Sequence, residues 1–232
     1  MRLDKFLSDS TDMSRKDIKQ LIKKKAVTVN GEIITKPETQ VGENDVVTVS
    51  GQTVSYRRFV YLLLNKPSGY VSATEDKKYP VVTDLVPEEY RHFDVFPAGR
   101  LDIDTEGLLI LTNDGEFVHD ITSPKKNVYK RYFARLDKPA EDTDISIFAD
   151  GMEFKDFTAK PAKLEICDGN NEAYVEIAEG KFHQVKRMFE RVGKTVVYLK
   201  RVSIGGLGLP DNLKLGEVKE IEYDELLNKI YG

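Results

Sequence analysis

Apolar positions in the first fifty residues repeat first with the period of a helix and then with that of a strand. Leu3, Phe6 and Leu7 lie at i, i+3 and i+4, and residues 18–22 repeat this spacing, which predicts two short amphipathic helices. The pair Asn30-Gly31 separates two short β-prone runs. Because both central residues of a type I′ turn need a positive φ, this pair predicts a hairpin.

After residue 58 the pattern changes to buried-type strands that do not alternate regularly with helices. Strands are predicted at residues 60–64, 107–111, 128–136, 164–167 and 173–178. Helices are predicted near residues 115–122, 142–149, 184–192 and 224–230. Because the strands outnumber the helices, we expect an α+β fold with a mixed, largely antiparallel sheet flanked by helices.

A polar stretch at residues 52–58 separates the two patterns. It has no hydrophobic periodicity, so we interpret it as a linker. The chain then divides into a small N-terminal module at residues 1–51 and a larger domain at residues 59–232.

The composition is that of a globular protein that can bury a core. Of the 232 residues, 40% are hydrophobic and 32% are charged. No apolar run reaches the roughly 18 residues that span a bilayer, and the N-terminus lacks the apolar region of a secretory signal. The single cysteine, Cys167, cannot form an internal disulfide, which favours a reducing cytoplasm. One Cys and three widely spaced His do not indicate a structural zinc site.

Basic side chains are concentrated in three segments, although the net charge of the chain is −4. Residues 14–25 hold six Lys/Arg and one acid, residues 125–135 hold five and none, and residues 181–201 hold seven and one. A phosphate-binding surface needs local positive potential rather than a positive total. Each cluster alone is compatible with a solvated helix face, but the three together favour RNA or DNA as a partner.

Four short motifs in the N-terminal module resemble the S4 RNA-binding domain. They are residues 2–7 (Arg-Leu-Asp-Lys-Phe-Leu), 14–15 (Ser-Arg), 21–23 (Leu-Ile-Lys) and 27–31 (Val-Thr-Val-Asn-Gly). The resemblance implies a basic helical face that docks on folded RNA with little sequence readout. This basic face would consist of Arg15, Lys16, Lys19, Lys23, Lys24 and Lys25.

Three carboxylates at a spacing of two residues, Asp102, Asp104 and Glu106, stand directly before an apolar run. Loops at strand ends often carry reactive groups, and the residues alone allow three interpretations. The acids imitate the start of a calcium loop, although Asn113 stands where that loop needs a bidentate Glu. They can instead cap the backbone of a turn. Finally, Asp102 can be a catalytic nucleophile with Arg100 as countercharge, in which case we expect the other two acids to turn away.

The run Gly99-Arg100-Leu101-Asp102, followed by residues 105–109 (Thr-Glu-Gly-Leu-Leu), resembles the catalytic motif of S4-containing pseudouridine synthases. Residues 64–69, 130–132 and 179–189 resemble further motifs of this family, in the same order. The resemblance implies an isomerase that detaches uracil N1 from ribose C1′ and rejoins the base through C5. It implies one essential aspartate, at Asp102, and no metal, redox cofactor or ATP. The form of the last motif is most similar to the branch that acts on small-subunit (16S) ribosomal RNA.

A target uridine in folded RNA must leave its stack to reach Asp102. An aromatic ring is the natural partner for the extruded base, and the family's tyrosine corresponds to Tyr132, whose phenol can also transfer a proton. Arg100 is either a partner of Asp102 or a wedge that helps to hold the flipped base, so it is a candidate RNA contact.

The helix predicted near residues 184–192 has one apolar stripe. At about 100° per residue, Lys186 lies at the margin of this stripe and Arg187 lies on the opposite side. We therefore expect Lys186 to reach Asp102, a pairing that the resemblance also implies, and Arg187 to face solvent and RNA phosphates. His183 is interpreted as a hydrogen-bonding prop.

Together these expectations describe a monomeric, cytoplasmic isomerase of ribosomal RNA processing and ribosome biogenesis. Its partner would be ribosomal RNA in an assembling small subunit, with no membrane and no small-molecule cofactor. Three alternatives remain open. They are the same reaction on large-subunit (23S) RNA, a non-catalytic S4 protein that binds RNA, and a hydrolase that uses Asp102 and Asp104 as a carboxylate pair.

Overall fold

The structure, a computed structural model, describes residues 1–11, 13–42, 44–54, 56–169 and 171–232. The chain forms two compact units. The first consists of Met1–Val60 together with Pro87–Val95, and the second of Tyr61–Val86 and Phe96–Gly232. Among the described residues, no helix is both long enough and apolar enough to cross a membrane.

The first unit packs two helices, α1 (Leu3–Ser10) and α2 (Arg15–Lys23), on a four-stranded antiparallel sheet. The strands are β1 (Val27–Val29), β2 (Glu32–Ile33), β3 (Val47–Val49) and β4 (Gln52–Val54), in the order β2-β1-β3-β4. The predicted helical spacing is confirmed by the core, which contains Leu3, Phe6, Leu7, Ile18 and Ile22. The predicted hairpin is also confirmed, since Asn30 and Gly31 have φ values of 52° and 84°.

The prediction of a linker at residues 52–58 is wrong for its first part. Gln52–Val54 is β4, which pairs with β3 through a turn at Ser50-Gly51, where both residues have positive φ. This strand is too short and too polar to show a hydrophobic period, so only its turn residues indicate it. Pro87–Val95, which contains the 3₁₀ turn Glu88–Phe93, also departs from the predicted division, because it belongs to the first unit.

The second unit is built on a nine-stranded mixed sheet. The strands of this unit are β5 (Tyr61–Lys66), β6 (Phe96–Pro97), β7 (Glu106–Thr112), β8 (Lys130–Leu136), β9 (Met152–Glu153), β10 (Thr158–Ala159), β11 (Lys163–Ile166), β12 (Glu172–Ile177), β13 (Val196–Ile204), β14 (Leu207–Gly208) and β15 (Val218–Glu220). The main order is β11-β12-β8-β13-β7-β5-β15, while β6 pairs with β7, β14 pairs with β13, and β9 and β10 form a separate pair. Only β13 and β7 pair in parallel among the described strands, which confirms the α+β prediction.

The four helices predicted in this unit all form. They are α3 (Gly115–Thr122), α4 (Asp142–Asp150), α5 (Gln184–Arg191) and α6 (Tyr223–Tyr231). The apolar stripe predicted on α5 is buried, and Phe189 in this stripe packs against Phe148 of α4 with ring centroids 5.0 Å apart. The buried stripe fixes how α5 is rotated and therefore which of its polar side chains point towards the sheet.

β13 was not among the predicted strands, although it lies between β8 and β7 in the sheet. Its parallel pairing with β7 begins at Glu106-Gly107, directly after the acidic loop, the name used below for residues 101–105. Gly107 has a φ of 103°, and a Cβ at this position would clash with the carbonyl oxygen of Arg201. Only glycine permits this close approach, so β13 fixes the point at which the acidic loop ends.

Candidate active site

The acidic loop is held by buried hydrogen bonds from β5 and from the segment after it. Lys66, fully buried at the end of β5, donates from Nζ to the carbonyl oxygens of Thr105 at 2.8 Å and Ile103 at 3.3 Å. Ser72 Oγ donates to the carbonyl oxygen of Leu101 at 2.9 Å and accepts from its N–H at 3.0 Å. The backbone of the loop is therefore organised before any substrate binds.

Lys66 was not among the predicted site residues. Burial lowers the pKa of Lys66 to about 8, while the nearby carboxylates of Asp104, Asp102 and Glu106 act in the opposite direction. The available signal was a lysine at the end of a buried-type strand, within the motif at residues 64–69. Such a lysine must satisfy its ammonium group internally, and here backbone carbonyls do so.

Asp102 lies beside two cationic or potentially cationic side chains from the segment that begins α5. Lys186 Nζ is 3.1 Å from its Oδ2, and His183 Nε2 is 3.6 Å from its Oδ1. The side chain of Asp102 is 26% exposed, so substrate can reach it. The structure therefore brings Lys186 to Asp102, as its position on the helix predicts. The approach of His183 was not predicted, and the signal that could have indicated it is its position three residues before Lys186, which was expected to reach Asp102.

Asp104 does not turn away from Asp102, contrary to the expectation. Its Oδ1 is 2.6 Å from Lys186 Nζ, so one ammonium group bridges both carboxylates. Burial lowers the pKa of Lys186, but the hydrogen bonds to Asp104 and Asp102 outweigh burial and raise it. For Asp104, burial acts to raise the pKa of the carboxyl group. The hydrogen bond and charge of Lys186 have the larger effect, so this pKa is lowered. Glu106 faces β13, where Tyr198 donates a hydrogen bond to it at 2.7 Å.

Two cavities share walls around Asp102. One, of about 60 Å³, also includes Tyr132, and the other, of about 300 Å³, also includes residues 71–73 and Phe182. Arg100 is exposed and lines both cavities. In the part of the chain that the structure describes, Arg100 forms no ion pair with Asp102, so the structure does not bear out its role as an alternative countercharge.

Tyr132 is 7% exposed and projects from β8, opposite Arg201 of β13. The start of β8 is anchored by Lys130, a buried residue whose Nζ donates to the carbonyl oxygens of Val128 at 2.7 Å and Ile121 at 2.9 Å. Burial lowers the pKa of Lys130 to about 8. The phenol ring thus lies on a rigid strand at the wall of the smaller cavity.

The turn before α5, residues 180–183, is fixed by a buried amide and carboxylate. Gln184 donates to Glu179 at 3.1 Å and accepts from the N–H of Lys181 at 3.0 Å. His183 has a φ of 51°, a left-handed conformation that this network stabilises. The ring of His183 reaches the acidic loop, and its role as a hydrogen-bonding prop stays a prediction.

Arg187 does not face solvent freely, contrary to the prediction. Its Nη1 is 2.9 Å from Oδ2 of Asp156, and its guanidinium lies over the rings of Phe154 and Phe157, 4.7 and 4.6 Å from their centroids. A carboxylate and two aromatic faces compete with water for this cation. The six cations of the basic face, in contrast, are all exposed along α2 and the turn after it.

The calcium interpretation of the acidic loop does not fit the structure. A strand, β7, follows the loop where a calcium loop of this kind requires a helix. The described residues also contain no group of three or more His, Cys, Asp and Glu side chains arranged to hold a metal ion.

Residues 60–191, which include the acidic loop, Tyr132 and Lys186, match the family model described as RNA pseudouridylate synthase. The chain belongs to the RNA pseudouridylate synthase family. Residues 1–47 of the synthase match the S4 domain model. The synthase is therefore an isomerase that acts on RNA, which excludes the non-catalytic alternative. The hydrolase alternative fails as well, since the Asp104 side chain is 63% exposed rather than facing inward with Asp102.

Relatives cover almost the whole synthase. An uncharacterized RNA pseudouridine synthase of Bacillus subtilis is 46% identical over 97% of each chain. The ribosomal small subunit pseudouridine synthase A of Escherichia coli is 38% identical and covers 99% of this chain and 100% of its own. A solved structure, described as a crystal structure of pseudouridylate synthase, is 35% identical with a TM-score of 0.69 and covers 99% of each chain. The expected family and the N-terminal S4 domain are confirmed.

Proposed function

We propose that this synthase converts one specific uridine of small-subunit (16S) ribosomal RNA to pseudouridine, with Asp102 as its essential carboxylate. The ribosomal small subunit pseudouridine synthases A of Pasteurella multocida and Escherichia coli, 39% and 38% identical to this chain, support the choice of RNA. The more similar relative of Bacillus subtilis has a name that specifies no ribosomal subunit. The same reaction on large-subunit (23S) RNA is therefore the alternative.

The observation that carries the proposal is the Asp102 carboxylate, 3.1 Å from the Lys186 ammonium, in the wall of a cavity that also contains Tyr132. In the reaction the bond between C1′ and N1 breaks, the base rotates and a bond between C1′ and C5 forms. C5 loses its proton and N1 gains one, so the overall change is an isomerisation. A carboxylate can act here as a nucleophile at the ribose or the base, or as a general base that removes a sugar proton. Lys186 supplies the countercharge and orients the carboxylate.

Tyr132 is proposed to receive the extruded base. Removing a uridine from its stack costs a few kcal/mol, and stacking on an aromatic ring returns roughly 1–3 kcal/mol. The position of the ring in the cavity that contains Asp102 supports this role. Its phenol is also a candidate for proton transfer at C5.

RNA affinity is proposed to come mainly from the S4 domain. The exposed cations of the basic face suit phosphate contacts, which release counterions and weaken as salt increases. Arg100 is proposed as a further RNA contact at the cavities, and Arg187 can become one only if it exchanges Asp156 for a phosphate. The enzyme would act as a monomer in the cytoplasm, on RNA of an assembling small subunit.

Pseudouridine mapping of ribosomal RNA, in cells with and without this gene, tests the proposal. We expect loss at one 16S position, which returns with the wild-type gene and with an Asp120→Asn control but not with Asp102→Asn. Asp120 is a half-exposed carboxylate on α3, 3.3 Å from Lys126, so the control makes the same chemical change outside the site. Loss at a 23S position would support the alternative RNA, and unchanged maps of both RNAs would contradict the proposal.

A further inference from the structure

Phe182 is the least buried large hydrophobic side chain that the structure describes. It is 68% exposed, and its ring stacks on that of His183 with centroids 3.8 Å apart and planes 17° apart. A single exposed aromatic residue needs no functional explanation. Phe182, however, stands at the mouth of the larger cavity, which also contains Asp102, and its ring lies against a residue that approaches this carboxylate.

The larger cavity has the chemistry of a nucleotide site. It is lined by residues 71–73, by the 180–183 turn and by Asp102, which it shares with the smaller cavity. Arg100 and Lys181, both exposed cations, line it beside the ring of Phe182. Single-stranded nucleic acids are bound by this combination, in which cations follow the phosphates and aromatic rings stack on the bases.

The smaller cavity is occupied by the target base in the proposed function, which leaves the larger one without a ligand. Because the RNA strand is continuous, a uridine at Asp102 brings its neighbouring nucleotide to the adjoining wall. We propose that Phe182 is a stacking platform for the base of the nucleotide that directly adjoins the target uridine, with the intervening phosphate near Arg100 and Lys181. This inference rests on the proposed position of the uridine, but it adds a second nucleotide subsite.

Hydrogen bonds hold the turn that carries Phe182. The N–H of Lys181 is bound by Gln184, which is itself bound by Glu179, and His183 supports the ring from one side. Residues 71–73, which line the same cavity, are tied to the acidic loop through the two hydrogen bonds of Ser72. A preorganised surface loses little conformational freedom when a base stacks on it, so the stacking contributes to affinity.

Two substitutions at Phe182 distinguish the effect of its stacking face from the effect of its apolar volume. Phe182→Leu keeps an apolar side chain without a stacking face, and Phe182→Tyr keeps the face. We expect Phe182→Leu to raise the Kd for target RNA by about 5- to 100-fold and to change the saturating single-turnover rate by less than about threefold. Phe182→Tyr should remain close to wild type. Tyr231→Leu, which removes an exposed ring from α6, is the matched control and should change neither quantity.

An RNA with an abasic site next to the target uridine completes the test. The RNA is a fragment in which the wild-type enzyme forms pseudouridine, whichever ribosomal subunit it comes from, so a wrong 16S assignment does not affect the result. The abasic site on one side of the uridine should weaken wild-type binding as much as Phe182→Leu does, and the variant should lose nothing further. Additive losses would overturn the inference. So would a lower saturating rate at unchanged Kd, which would show that Phe182 only supports His183.

Discussion

Helices α2 and α5 are both amphipathic and basic, yet the cations of α2 are all exposed whereas two of the three cations of α5 are paired with carboxylates. The basic face of α2 and its following turn consists of exposed side chains around a buried stripe. In α5, Lys186 and Arg187 each pair with carboxylates of the same unit. A basic amphipathic pattern therefore does not distinguish a phosphate-binding surface from a helix whose cations position protein carboxylates.

This difference predicts that α2 contributes to RNA affinity and α5 to the chemical step. Exposed cations attract phosphates through interactions that salt screens, and each contact contributes to the salt dependence of binding. Lys186, whose side chain is 17% exposed and lies between two carboxylates, is screened much less. We therefore expect changes in α2 to alter Kd and its salt dependence, and changes in α5 to alter the rate of the bound complex.

Lys186→Met should have the largest effect among the cation substitutions. It leaves Asp102 and Asp104 close together without the ammonium group that bridges them. We expect the saturating single-turnover rate to fall by about 10²- to 10³-fold, with Kd changed by less than about threefold. Lys138→Met, at an exposed position, is the control. If Lys186→Met and the control had the same rate, Lys186 would have no role in the chemical step.

Replacing Lys16, Lys19 and Lys23 with Gln should have the converse effect. We expect Kd at low salt to rise by roughly 10- to 100-fold, and the slope of log Kd against log salt to fall by about two to three. The saturating rate should not change. The same replacement at the exposed Lys214, Lys219 and Lys229 is the control for general loss of charge. An equal effect in both triple variants would mean that the basic face has no special role.

Lys66→Met tests the support beneath the acidic loop through the pH dependence of stability. The pKa of Lys66 is lowered from 10.5 to about 8, so between these values the unfolded chain holds a proton that the folded chain has lost. Its contribution to the free energy of unfolding therefore rises with pH in this window and is constant below it.

Urea unfolding across this pH range should show that the free energy of unfolding rises with pH in the wild type and rises less in Lys66→Met. Lys130, whose pKa is lowered in the same way, is present in both proteins and cancels in the difference. Parallel curves for the two proteins would contradict the assignment.

Arg187→Gln should have the smallest effect on RNA. Because Asp156 and two aromatic rings already hold the guanidinium, we expect Kd to change by less than about threefold. Lys19→Gln, one exposed cation of the basic face, should lower the salt slope by about one. If Arg187→Gln had the larger effect of the two, the guanidinium would have to leave Asp156 for the RNA, and the contrast between the helices would be weaker.

Much of the fold can be predicted because periodicity is a local signal. The apolar stripes of α1 and α2 located these two helices, the helix predicted near residues 184–192 forms as α5, and the rotation of α5 placed Lys186 towards Asp102. β13 could not be predicted in this way. Its ladder with β8 is irregular between Val196 and Tyr198 and again between Arg201 and Ser203, and such bulges break the alternation of a strand.

The site residues that the sequence analysis missed share one property, which is that their partners are distant in sequence. Lys66 binds carbonyl groups of the acidic loop, and His183 approaches the carboxylate of Asp102. Asp104 has the same property, because its partner Lys186 lies 82 residues later in the chain and needs carboxylate partners once it is partly buried. Such needs appear only when burial is known.

Asp102 is proposed to perform the chemistry while the surrounding cations position it, and the Asp102→Asn variant measures its contribution. The substitution keeps the shape of the side chain and removes its charge. Tritium release from C5 of uridine-labelled ribosomal RNA, measured under saturating single-turnover conditions, should fall below detection, while Kd stays within about threefold of wild type. Tritium release at the wild-type rate would contradict the account.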